Sequence, residues 1–477
     1  MTSTSIRTAI VIAIWLLVNP PGGALAREPP PAPERRSPPA AAGDTTGTPL
    51  SDLVREALER SPTLAAARAG ARSREARISR AGAWEDPVLT LGFTNLRTTS
   101  FDFSDDFMTM KVVQLGQEIP LPGQIGHRRR AAARSAESAS HLVDAARVEV
   151  VAEVKRAYAD LYYRDRALEI VDRNLAVLRG LEEVTRTRYA TGTGRQPAVL
   201  RAGLEIDGLE AERVALAESR RAALARLNAL RDRQASTPVE ATAFPPSLLA
   251  RLPTSDRETG FPSALGPGEK RSGSSPVPRA VGGKEDAPGL PRVDSLVARA
   301  LERKPELRAH VARIRGQEAR VDHARAERWP APRVGIGYGQ REGREDMLNA
   351  TLSFRLPIFA GAKQSAAVRE EAEALARERS LHDRMVREVE RDVTAAHADV
   401  SDALARLALY RSGILERARA HLEATIAAYR SGAEDFLALL DAQTTLYRHE
   451  LDYHRCLSDL LAAWADLERA VGEEIGT

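Results

Sequence analysis

The sequence predicts a mainly α-helical chain with a small β part, built from one unit used twice. Three observations predict it. Landmark segments recur in the same order at a spacing of about 240 residues. Long stretches place apolar residues in steps of three and four, the period of a helix seam. Short stretches between them alternate apolar with polar or small residues, the period of a strand.

Composition bounds the alternatives. The chain has 477 residues, 28% of them charged, with Lys+Arg 69 against Asp+Glu 66 and a formal net charge of +3. So even a balance gives no basic footprint, and no nucleic-acid partner is expected. The polarity excludes a polytopic helical membrane protein, which needs apolar runs of about 20 residues. One cysteine excludes a disulfide framework and a four-cysteine zinc site.

The first 26 residues read as an export signal. Arg7 precedes the apolar run Ile10–Val18, which Pro20, Pro21, Gly22 and Gly23 break, and Ala24-Leu25-Ala26 supplies the small residues of a cleavage site. An uncleaved membrane anchor would need a longer run. Arg27, not a cysteine, follows the cut, and Cys456 lies far downstream, so a lipoprotein is not expected. Residues 27–49 are rich in Pro and Ala and are expected to form a disordered lead-in.

The duplication places repeat 1 over 50–233 and repeat 2 over 292–472. Leu53-Val54-Arg55-Glu56-Ala57-Leu58-Glu59-Arg60-Ser61-Pro62 returns as Leu296-Val297-Ala298-Arg299-Ala300-Leu301-Glu302-Arg303-Lys304-Pro305. Trp84-Glu85-Asp86-Pro87 returns as Trp329-Pro330-Ala331-Pro332, and Glu118-Ile119-Pro120 as Arg355-Leu356-Pro357. Tyr189-Ala190-Thr191-Gly192 returns as Tyr429-Arg430-Ser431-Gly432. Between the copies, 234–291 is dense in Pro, Gly and Ser without an apolar period, and reads as a linker or insertion.

Each copy then predicts an opening helix near 50–81 or 293–328, two strands, a very long helix near 124–190 or 362–430, and a closing helix near 194–233 or 433–471. The seam is clear in Val393, Ala396, Val400, Ala403, Leu407, Tyr410 and Ile414, and in Tyr453, Leu457, Leu460, Trp464, Leu467 and Val471. Val154, Ala157, Leu161, Leu168, Val171, Leu175 and Leu178 form its counterpart in the first copy. Such a seam needs a packed neighbour, which a coiled-coil pair or an ordinary bundle would supply.

The strands are expected at Val88–Asn95, Phe107–Ile119, Arg333–Gly339 and Met347–Leu356. Leu348, Ala350, Leu352, Phe354 and Leu356 alternate with Asn349, Thr351, Ser353 and Arg355. That pattern fits a strand between lipid and lumen, and equally a soluble hairpin with one buried face. Trp84 and Trp329 stand where an interfacial aromatic would. An open sheet edge does not survive in lipid, and four strands are too few to close. Such strands must therefore be pooled between copies; three copies of four would give a twelve-stranded barrel. Pro87 and Pro332 precede the first strand of each pair, and Pro120, Pro122 and Pro357 follow the second, with Gly123 at the junction. Proline removes a donor and fixes φ, so it ends a ladder and starts a helix.

Enzyme chemistry finds no foothold. The sequence carries no phosphate loop, His-Glu-x-x-His helix or nucleophile elbow. His127, His310, His323, His382, His397, His421, His449 and His454 are scattered, and no cofactor or metal is expected. Cys456 reads as a small buried thiol.

Both repeats resemble the TolC-like outer-membrane efflux family. The segments that carry the resemblance are Gln117-Glu118-Ile119-Pro120-Leu121-Pro122-Gly123 and Tyr429-Arg430-Ser431-Gly432, continued by Phe436-Leu437-Ala438-Leu439-Leu440-Asp441-Ala442-Gln443. The resemblance implies a homotrimer in the outer membrane of a Gram-negative cell, with a twelve-stranded β-barrel continued by a periplasmic α-helical barrel. It implies the exit duct of a tripartite pump, partnered by a periplasmic adaptor and an inner-membrane transporter, of RND rather than ABC type. The Pro-Leu-Pro-Gly junction looks like that of heavy-metal efflux members. By position, Tyr189, Gly192, Tyr429 and Gly432 would form the adaptor-docking tip, and Asp441 a gate carboxylate. The family's latch arginine is Glu434 here and its aspartate partner Ala198, so Arg195, Glu434 and Asp435 become the candidates for holding the tip shut. Type I protein secretion and an exported coiled-coil adaptor are the alternatives.

Overall fold

Ser61-Pro62 and Lys304-Pro305 decide how each half begins. A residue before proline is pushed out of the helical region. Ser61 (ψ 122°) and Lys304 (ψ 120°) break each expected opening helix in two. The computed structural model describes residues 49–96, 102–104, 106–192, 194–240, 242–245, 248 and 290–475. The export signal at 1–26 and all of the 27–49 lead-in except Pro49 lie outside the described residues.

The first half runs α1 (Leu50–Arg60), α2 (Pro62–Gly82), β1 (Val88–Thr94), β2 (Met110–Glu118), α3 (Gln124–Ala190) and α4 (Gln196–Leu230). The second runs α5 (Val293–Arg303), α6 (Pro305–Ala326), β3 (Pro332–Gln340), β4 (Met347–Phe354), α7 (Gln364–Leu409), α8 (Leu415–Ser431) and α9 (Phe436–Val471). Pro62 and Pro305 take the first turn of their helices, where the missing N–H is not needed. At 1.5 Å per residue, the 67 residues of α3 span about 100 Å.

The long helix expected over 362–430 is not continuous. A π-helical turn, Tyr410–Ile414, separates α7 from α8. Ser412 and Gly413 lie at its centre, and both are poor at holding a regular helix. Phe107–Thr109 leave the ladder expected of them, because the Asp106 carboxylate accepts from the Met108 amide at 2.9 Å and its carbonyl from the Thr109 amide at 3.0 Å. Asn95, with φ 55°, ends β1, and β4 stops at Phe354. Pro332 does not precede β3 but is its first residue, a position where proline's missing donor costs no ladder bond.

The sheet order is β1-β2-β3-β4, antiparallel throughout, so β2 and β3 join the two halves. Helix α3 packs against α2, α4, α6 and α9, while α7 packs against α6 and α9. Val393, Ala396, Val400, Ala403 and Leu407 are buried beside Leu457, Leu460, Trp464, Leu467 and Val471, as the seam predicts; Leu168, Tyr410, Ile414 and Tyr453 are only half-buried. A second cluster joins Ile170, Val171, Leu175 and Leu178 of α3 to Ile206 and Leu209 of α4 and to Leu439, Leu440 and Tyr447 of α9.

Residues 234–291 depart from a plain linker at both described ends. Val239, Phe244, Leu248 and Leu290 are buried in the main core. The Tyr158 hydroxyl donates to the Ala243 carbonyl at 2.7 Å, and Thr242 donates to Asp165 at 2.8 Å. Isolated apolar residues have no period, so nothing local announced this docking. No helix among the described residues is long and apolar enough to cross a membrane.

Candidate functional site

The register of the sheet sorts its side chains by chemistry. Partners Leu89–Leu115–Ile336–Ala350 and Leu91–Val113–Tyr338–Leu348 run across all four strands on one face. Phe93, Val334, Leu352 and Phe354 extend that face, with Lys111 and Gln340 at one end of it and Gln117 at the other. Leu91 is 69% exposed, Leu348 73% and Leu352 63%, so much of this apolar surface is bare, although the Phe103 ring packs on Phe93 at 5.1 Å between centroids. The opposite face carries Thr90, Gln114, Gly116, Gly335, Gly337, Asn349 and Thr351 in its middle, with Val88, Val112, Met110 and Met347 towards its ends. There the Gln114 amide donates to the Thr351 hydroxyl at 3.3 Å across Gly335, where a Cβ would lie 2.5 Å from that oxygen. One face suits hydrocarbon and the other a wet lumen.

The junctions fix how strands become helices. Gly123 caps α3 with φ 97°, after Pro120 and Pro122 have ended β2. Gln124 accepts from the Leu121 amide at 3.2 Å and donates to the Ala326 carbonyl at 3.2 Å, joining the first-half junction to the end of α6. Arg128 holds the other side. Its guanidinium donates to the carbonyls of Ala81 (2.8 Å) and Ala83 (2.5 Å) and to the Glu85 carboxylate (3.0 Å). It thereby satisfies carbonyls at the end of α2 that the helix leaves open. Glu118 and Arg333 close the seam between halves at 3.0 Å, next to a bond from the Ile119 amide to the Pro332 carbonyl at 2.9 Å. After β4, Pro357 is followed by a turned segment in which Ile358 and Phe359 are 78% and 71% exposed.

At the other end, two turns carry the glycines that the repeat singled out. Gly192 has φ 74° and Gly432 φ 77°, a left-handed backbone that suits glycine because it has no Cβ. Their tyrosines differ. Tyr189 is 47% exposed, whereas Tyr429 is buried against Phe436, with ring centroids 6.3 Å apart. The Arg188 guanidinium lies over the Tyr429 ring. Gly194 also has a specific role in this turn: its amide donates to the Arg188 carbonyl at 2.9 Å, and a Cβ there would lie 2.7 Å from the Tyr189 nitrogen.

The residues considered for a latch do not assemble within the chain. Asp435 is the N-cap of α9 and accepts from the Ala438 amide at 3.0 Å, which occupies its carboxylate locally. Glu434, Arg195 and Asp441 are exposed, and no ion pair among the described residues joins them. Sequence reasoning also passed over Arg128, Arg188 and Gly194. Only Gly194 left a local trace, in the Thr191-Gly192-Thr193-Gly194 alternation.

His454 and Cys456 on α9 are perturbed by burial. His454 Nδ1 faces the Tyr162 hydroxyl at 3.1 Å; burial, together with Arg166 and Arg173, pushes its pKa down to about 4. Cys456 is buried in the core, and burial raises its thiol. Among the described residues, no group of three His, Cys, Asp or Glu side chains is placed to hold a metal ion.

Comparison with known proteins agrees with this geometry. Residues 53–231 and 296–473 each match the family described as outer membrane efflux protein. Outer membrane protein OprJ of Pseudomonas aeruginosa is 29% identical over 369 residues, 74% of this chain and 68% of that protein. The outer-membrane channel OprN has a similar fold, with TM-score 0.69 at 18% identity over 92% of this chain and 98% of that one. The outer membrane protein VceC of Vibrio cholerae gives 0.68 at 16% identity, over 90% and 97%. The open MtrE channel of Neisseria gonorrhoeae gives 0.67 at 19%, over 89% of each. With both halves matched and a sheet whose bare apolar face suits lipid, the chain belongs to the outer membrane efflux protein family and is an outer-membrane exit duct.

Proposed function

We propose that three copies close a twelve-stranded barrel in the outer membrane, continued by their long helices as a tunnel into the periplasm. The observation that carries this is the four-stranded sheet, apolar and bare on one face, with β1 and β4 as free edges. Lipid does not tolerate such edges. Because the order is antiparallel throughout, β4 of one copy meets β1 of the next in antiparallel sense, so a ring can close without a mismatch.

The duct passes small solutes, drugs or heavy-metal cations, that an inner-membrane pump expels through a periplasmic adaptor. The Pro120-Leu121-Pro122-Gly123 junction, similar to that of heavy-metal efflux members, supports metal cations among these solutes, and the family resemblance supports an RND rather than an ABC pump. The adaptor docks at the end carrying Tyr189, Gly192, Tyr429 and Gly432. Asp441, exposed on α9 near that end, supplies one carboxylate per copy to an anionic constriction that favours cations. Glu434 is the second carboxylate available there.

Single-channel recording on the protein reconstituted in planar bilayers tests this. The expected result is a cation-selective pore blocked by polyvalent cations, with Asp441→Ala lowering the selectivity and relieving the block. Unchanged selectivity and block in Asp441→Ala would remove Asp441 from the constriction. Failure to recover an SDS-resistant trimer would remove the ring.

A further inference from the structure

The two hairpins have equivalent registers. Val88 pairs with Gly116 in the first and Arg333 with Ser353 in the second. Trp84 and Trp329 stand four residues before Val88 and Arg333. Val88 is thus the equivalent of Arg333, Gly116 of Ser353 and, two residues on, Glu118 of Arg355. The structure shows how an outgoing strand of this protein meets an incoming one. At the β2–β3 seam, Glu118 lies opposite Arg333 in a 3.0 Å ion pair, with the Ile119 amide bonded to the Pro332 carbonyl.

The same relation transferred to the seam between copies sets Arg355 opposite Val88 of the neighbouring copy. The Leu356 amide then meets the neighbour's Pro87 carbonyl. Val88 carries no charge. Two positions back, just before β1 begins, Asp86 lies within diagonal reach of an arginine where the extended backbone ahead of Pro87 continues the line of the strand. Glu85 is already held by Arg128 at 3.0 Å. Arg355 and Asp86 are both exposed at opposite edges of the sheet, and among the described residues no ion pair joins either to another side chain.

We infer that Arg355 of one copy pairs with Asp86 of the next, closing each subunit seam with the reverse of the polarity used inside the chain. This rests on the ring proposed above. The reversal sorts strands: a β2 edge presented to a foreign β1 would set Glu118 against Asp86, like against like, whereas β4 presents Arg355. The ladder supplies the adhesion, and the charges choose which edges meet.

Cross-linking in outer-membrane vesicles tests the register, using the full chain in a Cys456→Ser background. Arg355→Cys combined with Val88→Cys should give covalent dimers and trimers on oxidation. Arg355→Cys with Thr90→Cys, one pleat further along, should cross-link about tenfold less. In the charge arm, Arg355→Asp or Asp86→Arg alone should each lower the SDS-resistant trimer fraction several-fold, and the two together should restore it. The inference falls if the unsubstituted trimer persists while the Arg355/Val88 pair fails to cross-link, or if the double reversal is no better than the single ones. If the unsubstituted protein forms no trimer, the ring and the pairing fall together.

Discussion

The Arg188 guanidinium lies 4.4 Å from the centroid of the Tyr429 ring, so the turn after α3 is tied to the end of α8 by a cation stacked on an aromatic. The equivalent tyrosine, Tyr189, is the more exposed of the two. Equivalent positions in the repeat therefore do different work, one holding the two turns together and the other facing outward. Tyr429→Ala should cost about 3 kcal/mol, the usual loss for a buried aromatic, and Tyr189→Ala less than about 0.5 kcal/mol. Urea denaturation read together with limited proteolysis around residues 188–195 would show the contrast. Arg188→Ala should lie between them, near 1 kcal/mol.

Arg128 is expected to be irreplaceable by lysine. Its acceptors are two backbone carbonyls and a carboxylate spread around a planar fork, a geometry that an ammonium group does not reproduce. Arg128→Ala and Arg128→Lys should both destabilise the junction, by roughly 1–3 kcal/mol, since the carbonyls at the end of α2 lose their charged donor. Hydrogen exchange at residues 80–90 should rise in both variants, and a full rescue by lysine would refute the fork argument.

The opening helices are clasped by charges of opposite order. Glu56 on α1 binds Arg231 and Arg233, whereas its repeat equivalent Arg299, with Arg303 on the same helix, binds Glu473. Burial separates the two clasps: the Arg231 side chain is 7% exposed and Arg303 58%. Glu56→Gln leaves a buried guanidinium short of its counter-charge and should cost about 2–4 kcal/mol, while Glu473→Gln should cost about 1 kcal/mol or less. Thermal melts of the detergent-solubilised protein would order the two.

His454 should make the fold acid-sensitive. Its pKa is depressed in the folded state to about 4 from an ordinary 6.5, so the unfolded chain binds the proton more readily between those values. The stabilisation from keeping this histidine neutral is complete above about pH 6.5 and is lost as pH falls towards about 4. The urea midpoint should drop across that window, and His454→Gln should flatten that part of the profile. An identical pH profile in the variant would clear His454 of the effect.

Much of the architecture was legible in one dimension. The steps of three and four in Val393–Leu407 and Leu457–Val471 marked faces that are buried, and the alternation in Leu348–Phe354 marked a strand with one bare apolar face. Ser61-Pro62 and Lys304-Pro305 also held the breaks between α1 and α2 and between α5 and α6, although the helical period on either side masked them. The candidate latch was not legible. Asp435 proves to be a helix cap, and nothing in the spacing of Arg195 and Glu434 told whether the chain would bring them together.

By itself, then, the sequence determined the duplicated order of helices and strands and the chemistry of each face, because these are set by residues two to four positions apart. Only the tertiary structure decided that β2 joins β3, which carbonyls Arg128 reaches, and that Val239 and Phe244 leave the linker for the core. It also showed that Glu118, whose repeat equivalent is Arg355, pairs with Arg333 across the β2–β3 seam. Each of those facts depends on a partner that no local period specifies, often more than two hundred residues away. Chain connectivity and packing choose such partners jointly, after the local elements have formed.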